Sequence, residues 1–242
     1  MTGGVLFLII NGNALEVMRQ LKPRTFGGLI TDPPYSSGGM FRGDRAQDTK
    51  TKYTDDDASG AATLSSFTGD NKDGRSYTSW SAEWLTLASR LLKDGAPVLV
   101  FCDWRQVPTI TDAMQWAGFI WRGIVVWDKK NARPQKGRFR AQAEFIVWGS
   151  KGNMPIDRNA PVLPGVISCP VPLFSKRVHQ TQKPVELLRQ LIKIVEPGEA
   201  VLDPFVGSGS LNEAARLEGY ECTGIELCPY YAGIAEGREK RA

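Results

Sequence analysis

Ala200-Val201-Leu202-Asp203-Pro204-Phe205-Val206-Gly207-Ser208-Gly209 is the stretch that decides the fold. Its apolar start reads as a short buried strand that stops at a carboxylate and gives way to a glycine turn. A helical pattern follows, with Leu211, Ala214, Ala215 and Leu217 along it and Gly219 placed as its C-terminal cap. Residues 221–225 read as the next strand, and Glu226 ends it. Strand, glycine turn, helix, strand and terminal acid form a dinucleotide-type binding unit: glycines let the backbone approach a ligand, and the second acid takes ribose hydroxyls. Glu226 lies seventeen residues beyond Gly209, a suitable distance. Two features argue against a nicotinamide cofactor. The turn has only two glycines, and Asp203 stands where a pyrophosphate would be repelled. An acid there suits a cationic or amine-bearing ligand.

The same alternation recurs along the rest of the chain. Residues 4–10 are a continuous apolar run, Asn13 is placed to cap a helix carrying Leu15, Met18 and Leu21, and residues 27–31 are a second short strand. A helix is expected from about Ser79 to Leu92, with Trp80, Trp84, Leu87, Ala88 and Leu91 as core. Then come a strand at 96–101, a helix opened by Pro108, and strands at 119–127 and 143–148. Five prolines between residues 151 and 178 suggest an extended connection, after which Pro184 starts a helix with Leu187, Leu188, Leu191 and Ile192 inward. Strands separated by helices predict an α/β fold with a parallel sheet. No repeat or linker interrupts residues 1–242, which read as one domain.

The 27–31 strand ends in Thr31-Asp32-Pro33-Pro34-Tyr35. Two prolines stiffen the turn and hold Asp32 out of the helical region. The result is a rigid platform with one acceptor side chain, unclaimed carbonyls and a ring face, suited to a flat ligand bearing an amino group. Residues 36–75, rich in Gly, Ser, Thr and Asp, are expected to form a mobile loop beside it. A second loop, 128–140, holds six basic residues (Lys129, Lys130, Arg133, Lys136, Arg138 and Arg140) against the single acid Asp128. Lys and Arg at this density suit the phosphates of a nucleic acid.

Composition narrows the class. The chain has 242 residues and a net charge of +4, which allows an anionic partner without requiring one. Four dispersed cysteines and one histidine argue against a zinc site or a disulfide framework, so no metal is expected and reduced thiols in the cytoplasm are. The N-terminal apolar run is too short to span a bilayer and lacks the flanks of a signal peptide, so no membrane association is expected.

Together these motifs resemble the S-adenosylmethionine-dependent DNA amino-methyltransferases of the β class, which methylate adenine N6 or cytosine N4. Asp32-Pro33-Pro34-Tyr35 resembles that family's catalytic motif, Asp203-Pro204-Phe205-Val206-Gly207-Ser208-Gly209 its methionine-binding loop, and Glu226 its ribose-binding acid. His179-Gln180-Thr181-Gln182-Lys183-Pro184 is similar to its His-Pro-Thr-Gln-Lys-Pro element. The order, catalytic motif first, is the permuted order of the class, and the similarity covers most of residues 9–35 and 179–236. The resemblance implies a Rossmann-like methyltransferase fold with a mostly parallel seven-stranded sheet and helices on both faces. It implies S-adenosylmethionine held by Asn13, Asp32, Thr181, Gln182, Lys183, Asp203, Pro204, Phe205, Gly207, Ser208, Gly209 and Glu226. Catalysis falls to Asp32, Pro33, Pro34 and Tyr35, the target base is flipped out of double-stranded DNA, and relatives often form homodimers. Three departures stand out. Asn13 replaces the usual Asp, Gln180 replaces a proline, and the region that normally carries a target-recognition insert is short.

Under this reading Asp32 and the Pro33 carbonyl accept from the target amino group while Tyr35 stacks on the base. Asp at the first motif position leans to adenine over cytosine. No Cys follows a Pro-Pro pair, which argues against methylation at cytosine carbon. RNA or protein amino-methylation, a nicotinamide dehydrogenase and a non-catalytic DNA-binding module are the competing readings.

Overall fold

A computed structural model of the chain describes residues 7–35, 72–172 and 182–239. Eight strands form one sheet in the order β1-β8-β7-β2-β3-β5-β4-β6. They are β1 (Phe7–Asn11), β2 (Gly28–Thr31), β3 (Pro97–Cys102), β4 (Ile120–Asp128), β5 (Ala143–Ser150), β6 (Val166–Ser168), β7 (Val201–Asp203) and β8 (Cys222–Glu226). The helices are α1 (Ala14–Gln20), α2 (Gly74–Leu91), α3 (Val107–Trp116), α4 (Val185–Leu191), α5 (Ser210–Glu218) and α6 (Pro229–Glu239). From β1 to β3 every neighbouring pair is parallel, and β5 runs antiparallel to both β3 and β4. None of these helices is long and apolar enough to cross a membrane.

Both faces of the sheet are covered, and β3 shows how. Val98, Val100 and Cys102 join one core cluster with Met18, Trp84, Leu85, Ile110 and Met114 of α1, α2 and α3. Leu99 and Phe101 join the other with Leu187, Leu188, Leu191 and Leu211 of α4 and α5. Successive side chains of a strand point to opposite faces, so a strand buried on both sides must be apolar throughout. All six residues of β3 are buried.

The expected sheet of seven strands is corrected to eight among the described residues. The added strand, β6, has three residues inside the proline-rich connection and pairs with the end of β4. Three residues offer no period to read. The helix expected from Ser79 begins instead at Gly74, because the Asp73 carboxylate accepts from the Arg75 and Ser76 backbone N–H groups and caps it. Residues 72–75 therefore belong to a cap and first turn, while residues 36–71 of the expected loop lie outside the described residues.

Candidate active site

Parallel pairing of β2 with β7 (Leu29 opposite Leu202) brings two acids from distant parts of the chain to the carboxyl edge of the sheet. Asp32 lies one residue past β2, and Asp203 is the last residue of β7. The Thr31 hydroxyl donates to Asp203 Oδ1 at 2.6 Å, and the Phe205 backbone N–H donates to the same oxygen at 3.1 Å. Both partners are neutral. Burial pushes the Asp203 carboxyl up to about 7, the two hydrogen bonds only partly opposing it. A buried acid held this way is poised for a cationic group.

The glycine turn is built on Glu226. Gly207 N–H donates to its Oε2 at 2.9 Å and Cys228 N–H to its Oε1 at 2.8 Å. Burial raises this carboxyl, while backbone N–H groups draw it back. Gly209 caps α5 at φ +81°, and a Cβ there would lie 2.9 Å from the Cα of Ala235 in α6. A side chain at 209 would thus meet both backbone strain and a helix that cannot give way.

The third group surrounds Asp32. Lys183 Nζ lies 2.7 Å from Asp32 Oδ2 and 3.0 Å from Glu144 Oε1, with its side chain 8% exposed. The Tyr35 hydroxyl is 2.5 Å from Asp32 Oδ1 and 2.7 Å from Glu144 Oε1. Lys129 Nζ completes the cluster 3.5 Å from Glu144 Oε2. Burial raises the Asp32 carboxyl above its ordinary range, with Lys183 opposing. Burial also works against ionisation of Glu144, yet Lys183, the Tyr35 hydroxyl and Lys129 together hold it below the usual value. The same two acids keep the Lys183 ammonium charged despite its desolvation.

Between these groups lies a small cleft of about 70 Å³ that opens to solvent. Asp32, Gln182, Lys183, Asp203, Phe205, Gly207 and Ser208, all expected from the sequence, line it with Thr31, Phe101 and Ser210. Pro204, Gly209 and Glu226 support its wall without lining it. Asn13 does not line it either. Its side chain accepts from Leu15 N–H at 2.9 Å and caps α1. Thr181, with His179 and Gln180, lies outside the described residues.

Two expected roles change. Tyr35 is half-buried, and beside its ring face the structure adds a second contact: its hydroxyl is aimed at the two acids, with Lys183 Nζ 5.0 Å from its ring centre. Lys129 and Lys130 are ion-paired, the first with Glu144 and the second with Asp128 at 3.4 Å. Arg133, Lys136, Arg138 and Arg140 remain exposed, and Phe139 stands fully exposed among them. Sequence reasoning missed Glu144 altogether. Its one signal was a lone acid in the apolar run Ala143-Glu144-Phe145-Ile146-Val147-Trp148.

A family description of DNA methylases, spanning N6- and N4-methylating members, matches residues 28–163 and 166–237. The Type II methyltransferase M2.DpnII of Streptococcus pneumoniae is 24% identical over 254 residues, covering 96% of this chain and 88% of that protein. The M1.HpyAVI complex with S-adenosylmethionine shares the fold, with a TM-score of 0.67 at 24% identity over 97% of this chain and 99% of its own. So does the PvuII cytosine-N4-specific DNA methyltransferase, with a TM-score of 0.69 at 16% identity over 98% and 89% of the two chains.

Proposed function

Because the chain belongs to the N6/N4 DNA methylase family and S-adenosylmethionine is its cofactor, we propose that it methylates the exocyclic N6 of adenine in DNA. The observation that carries this reading is the Asp32 carboxylate, on a proline-stiffened turn, lining the same cavity as Asp203 and the glycine turn. The donor set fits the cofactor. Asp203 would take its amine, the Gly207–Ser208 turn its carboxylate, and Glu226 its ribose through lone pairs that the backbone N–H groups leave free. Bound there, S-adenosylmethionine supplies a methyl group on a sulfonium, with the bonding pair leaving on sulfur.

An adenine amino group is a weak nucleophile because its lone pair is delocalised into the ring. Acceptors at both of its hydrogens, the Asp32 carboxylate and the Pro33 carbonyl, favour a tetrahedral nitrogen and localise that pair. They also stabilise the positive charge that appears as the N–C bond forms, by preorganised electrostatics. The methylated nitrogen then sheds one proton, which Asp32 accepts and passes to solvent. Pro33 and Pro34 fix these acceptors, so no reorganisation is needed at the moment of reaction. The base reaches them by leaving the duplex and lying against the Tyr35 ring. Arg133, Lys136, Arg138 and Arg140 neutralise phosphates, and Phe139 between two of these arginines offers an apolar surface to the bases.

The preference for adenine rests on Asp at the first position of the catalytic motif. The fold is shared with a cytosine-N4 enzyme and does not choose. Modification-sensitive sequencing of DNA from a methylation-deficient host expressing the chain reports the base and its context together. N6-methyladenine at a defined motif is the expected result, and N4-methylcytosine would replace this reading.

A further inference from the structure

β5 runs antiparallel to β3, with Phe145 opposite Cys102, so it brings its first residues to the edge where the parallel strands end. Glu144 therefore reaches the cluster at the same edge as Asp32, from the other side of β3. The two donors at this point, Lys183 and Tyr35, already reach both acids, at distances between 2.5 and 3.0 Å. An ammonium has three protons and can serve two carboxylates, but a tyrosine hydroxyl has one proton and can donate to only one of them at a time. A hydroxyl midway between two acids is a shared donor with two stable settings.

This arrangement solves a difficulty in the methylation reading, on which the following inference rests. Asp32 must accept from the base, yet each of its oxygens already takes a donor, Oδ2 the Lys183 ammonium and Oδ1 the Tyr35 hydroxyl, which leaves one lone pair on each and draws their charge away from the amino group. With no other acid at hand, Lys183 would be left as Asp32's dedicated counter-ion, and a carboxylate neutralised in that way is a poor acceptor for an amine. We propose that Glu144 is a positioning residue that draws the Lys183 ammonium and the Tyr35 proton to itself when the target base is seated, freeing the Asp32 carboxylate for the amino group. The Lys129 ammonium, on the far oxygen of Glu144, keeps that acid charged and in place. The titratable groups facing the pair are Tyr35 after β2, Cys102 at the end of β3, Lys129 after β4, Lys183 before α4, and Asp203 across the cavity. Glu144 also acts on Asp32 through space, since its negative charge raises the proton affinity of the neighbouring carboxyl.

The test uses the full chain with Glu144→Gln. Single-turnover methyl transfer to DNA from a methylation-deficient host should fall on the order of 10²-fold, while affinity for S-adenosylhomocysteine by calorimetry stays near wild type. Carboxyl-carbon NMR gives a readout independent of turnover: the Asp32 titration midpoint should move to lower pH in the variant, because a raising charge is gone and Lys183 is no longer shared. Wild-type transfer rates, or an Asp32 midpoint that stays or rises, overturn the proposal. Asp32→Ala run alongside separates the two levels. Methylation by Asp32→Ala refutes the catalytic reading itself, whereas inactive Asp32→Ala beside fully active Glu144→Gln refutes only the role of Glu144. If Glu144→Gln melts below the assay temperature, a crystal structure of the wild-type chain with S-adenosylhomocysteine and a target duplex decides. Lys183 and Tyr35 should then contact Glu144 with the amino group on Asp32, and a retained Lys183–Asp32 pair beside a seated base overturns the proposal.

Discussion

Asp203 makes cofactor binding a titration. Its carboxyl is pushed from 3.8 up to about 7 because burial strips it of water, and one hydroxyl and one amide N–H only partly make up for that loss. If the amine of S-adenosylmethionine binds the ionised form, the fraction ready to bind is about one tenth at pH 6 and about nine tenths at pH 8. Affinity should therefore rise about tenfold between these values, with roughly one proton released per cofactor bound at pH 6 and almost none at pH 8. The sign for stability is opposite. The folded form holds this proton more tightly than the unfolded chain, so between pH 4 and 7 the folded state carries more protons and stability falls as pH rises. The shift corresponds to roughly 4 kcal/mol at most, and it levels off above pH 7. Calorimetry of S-adenosylhomocysteine binding in buffers of different ionisation enthalpy measures affinity and proton release together. Asp203→Asn keeps an oxygen for the Thr31 and Phe205 bonds but cannot titrate. It should bind more weakly and lose the slope that Asp203 imposes. A wild-type affinity flat from pH 6 to 8, or the same slope in Asp203→Asn, would mean that Asp203 does not take the cofactor's amine.

Three further outcomes follow from named contacts. Gly209→Ala places a Cβ at φ +81° and 2.9 Å from the Ala235 Cα; it should cost at least about 1–2 kcal/mol in chemical denaturation and weaken S-adenosylhomocysteine binding. Trp84→Ala empties a fully buried site between α2 and the sheet and should lower stability by about 3–5 kcal/mol, read from the denaturation midpoint. In the basic loop, Arg138→Ala with Arg140→Ala should reduce the slope of log affinity for DNA against log salt by about 2, whereas Lys129→Ala should leave that slope nearly unchanged and slow methyl transfer, because Lys129 faces Glu144.

What was legible in the sequence was whatever a parallel sheet writes locally. Asp32, Asp203 and Glu226 each end an apolar run and precede a turn with its own chemistry, so their convergence on one edge followed from the strand–helix alternation alone. Glu144 sits at the start of a strand, and a start lies at that edge only when the strand is antiparallel. That depends on sheet order, which no local pattern carries. Lys129 was read with its basic neighbours because charge density is one-dimensional in sequence, while its acid partner is fifteen residues away. The first turn of α2 was hidden because Gly74, Arg75 and Ser76 have no apolar stripe and continue the polar composition of residues 36–73. The Tyr35 hydroxyl contacts were hidden because the turn predicts where the residue stands and not where its hydroxyl finds partners.

Whether Asp32 directs methylation to the amino group of adenine in DNA is read from mass spectrometry of nucleosides from a methylation-deficient host expressing the chain or its Asp32→Ala variant. N6-methyladenine is expected with the wild type and none above background with a folded, cofactor-binding Asp32→Ala. N6-methyladenine at wild-type levels in that variant, or N4-methylcytosine as the wild-type product, would contradict this expectation.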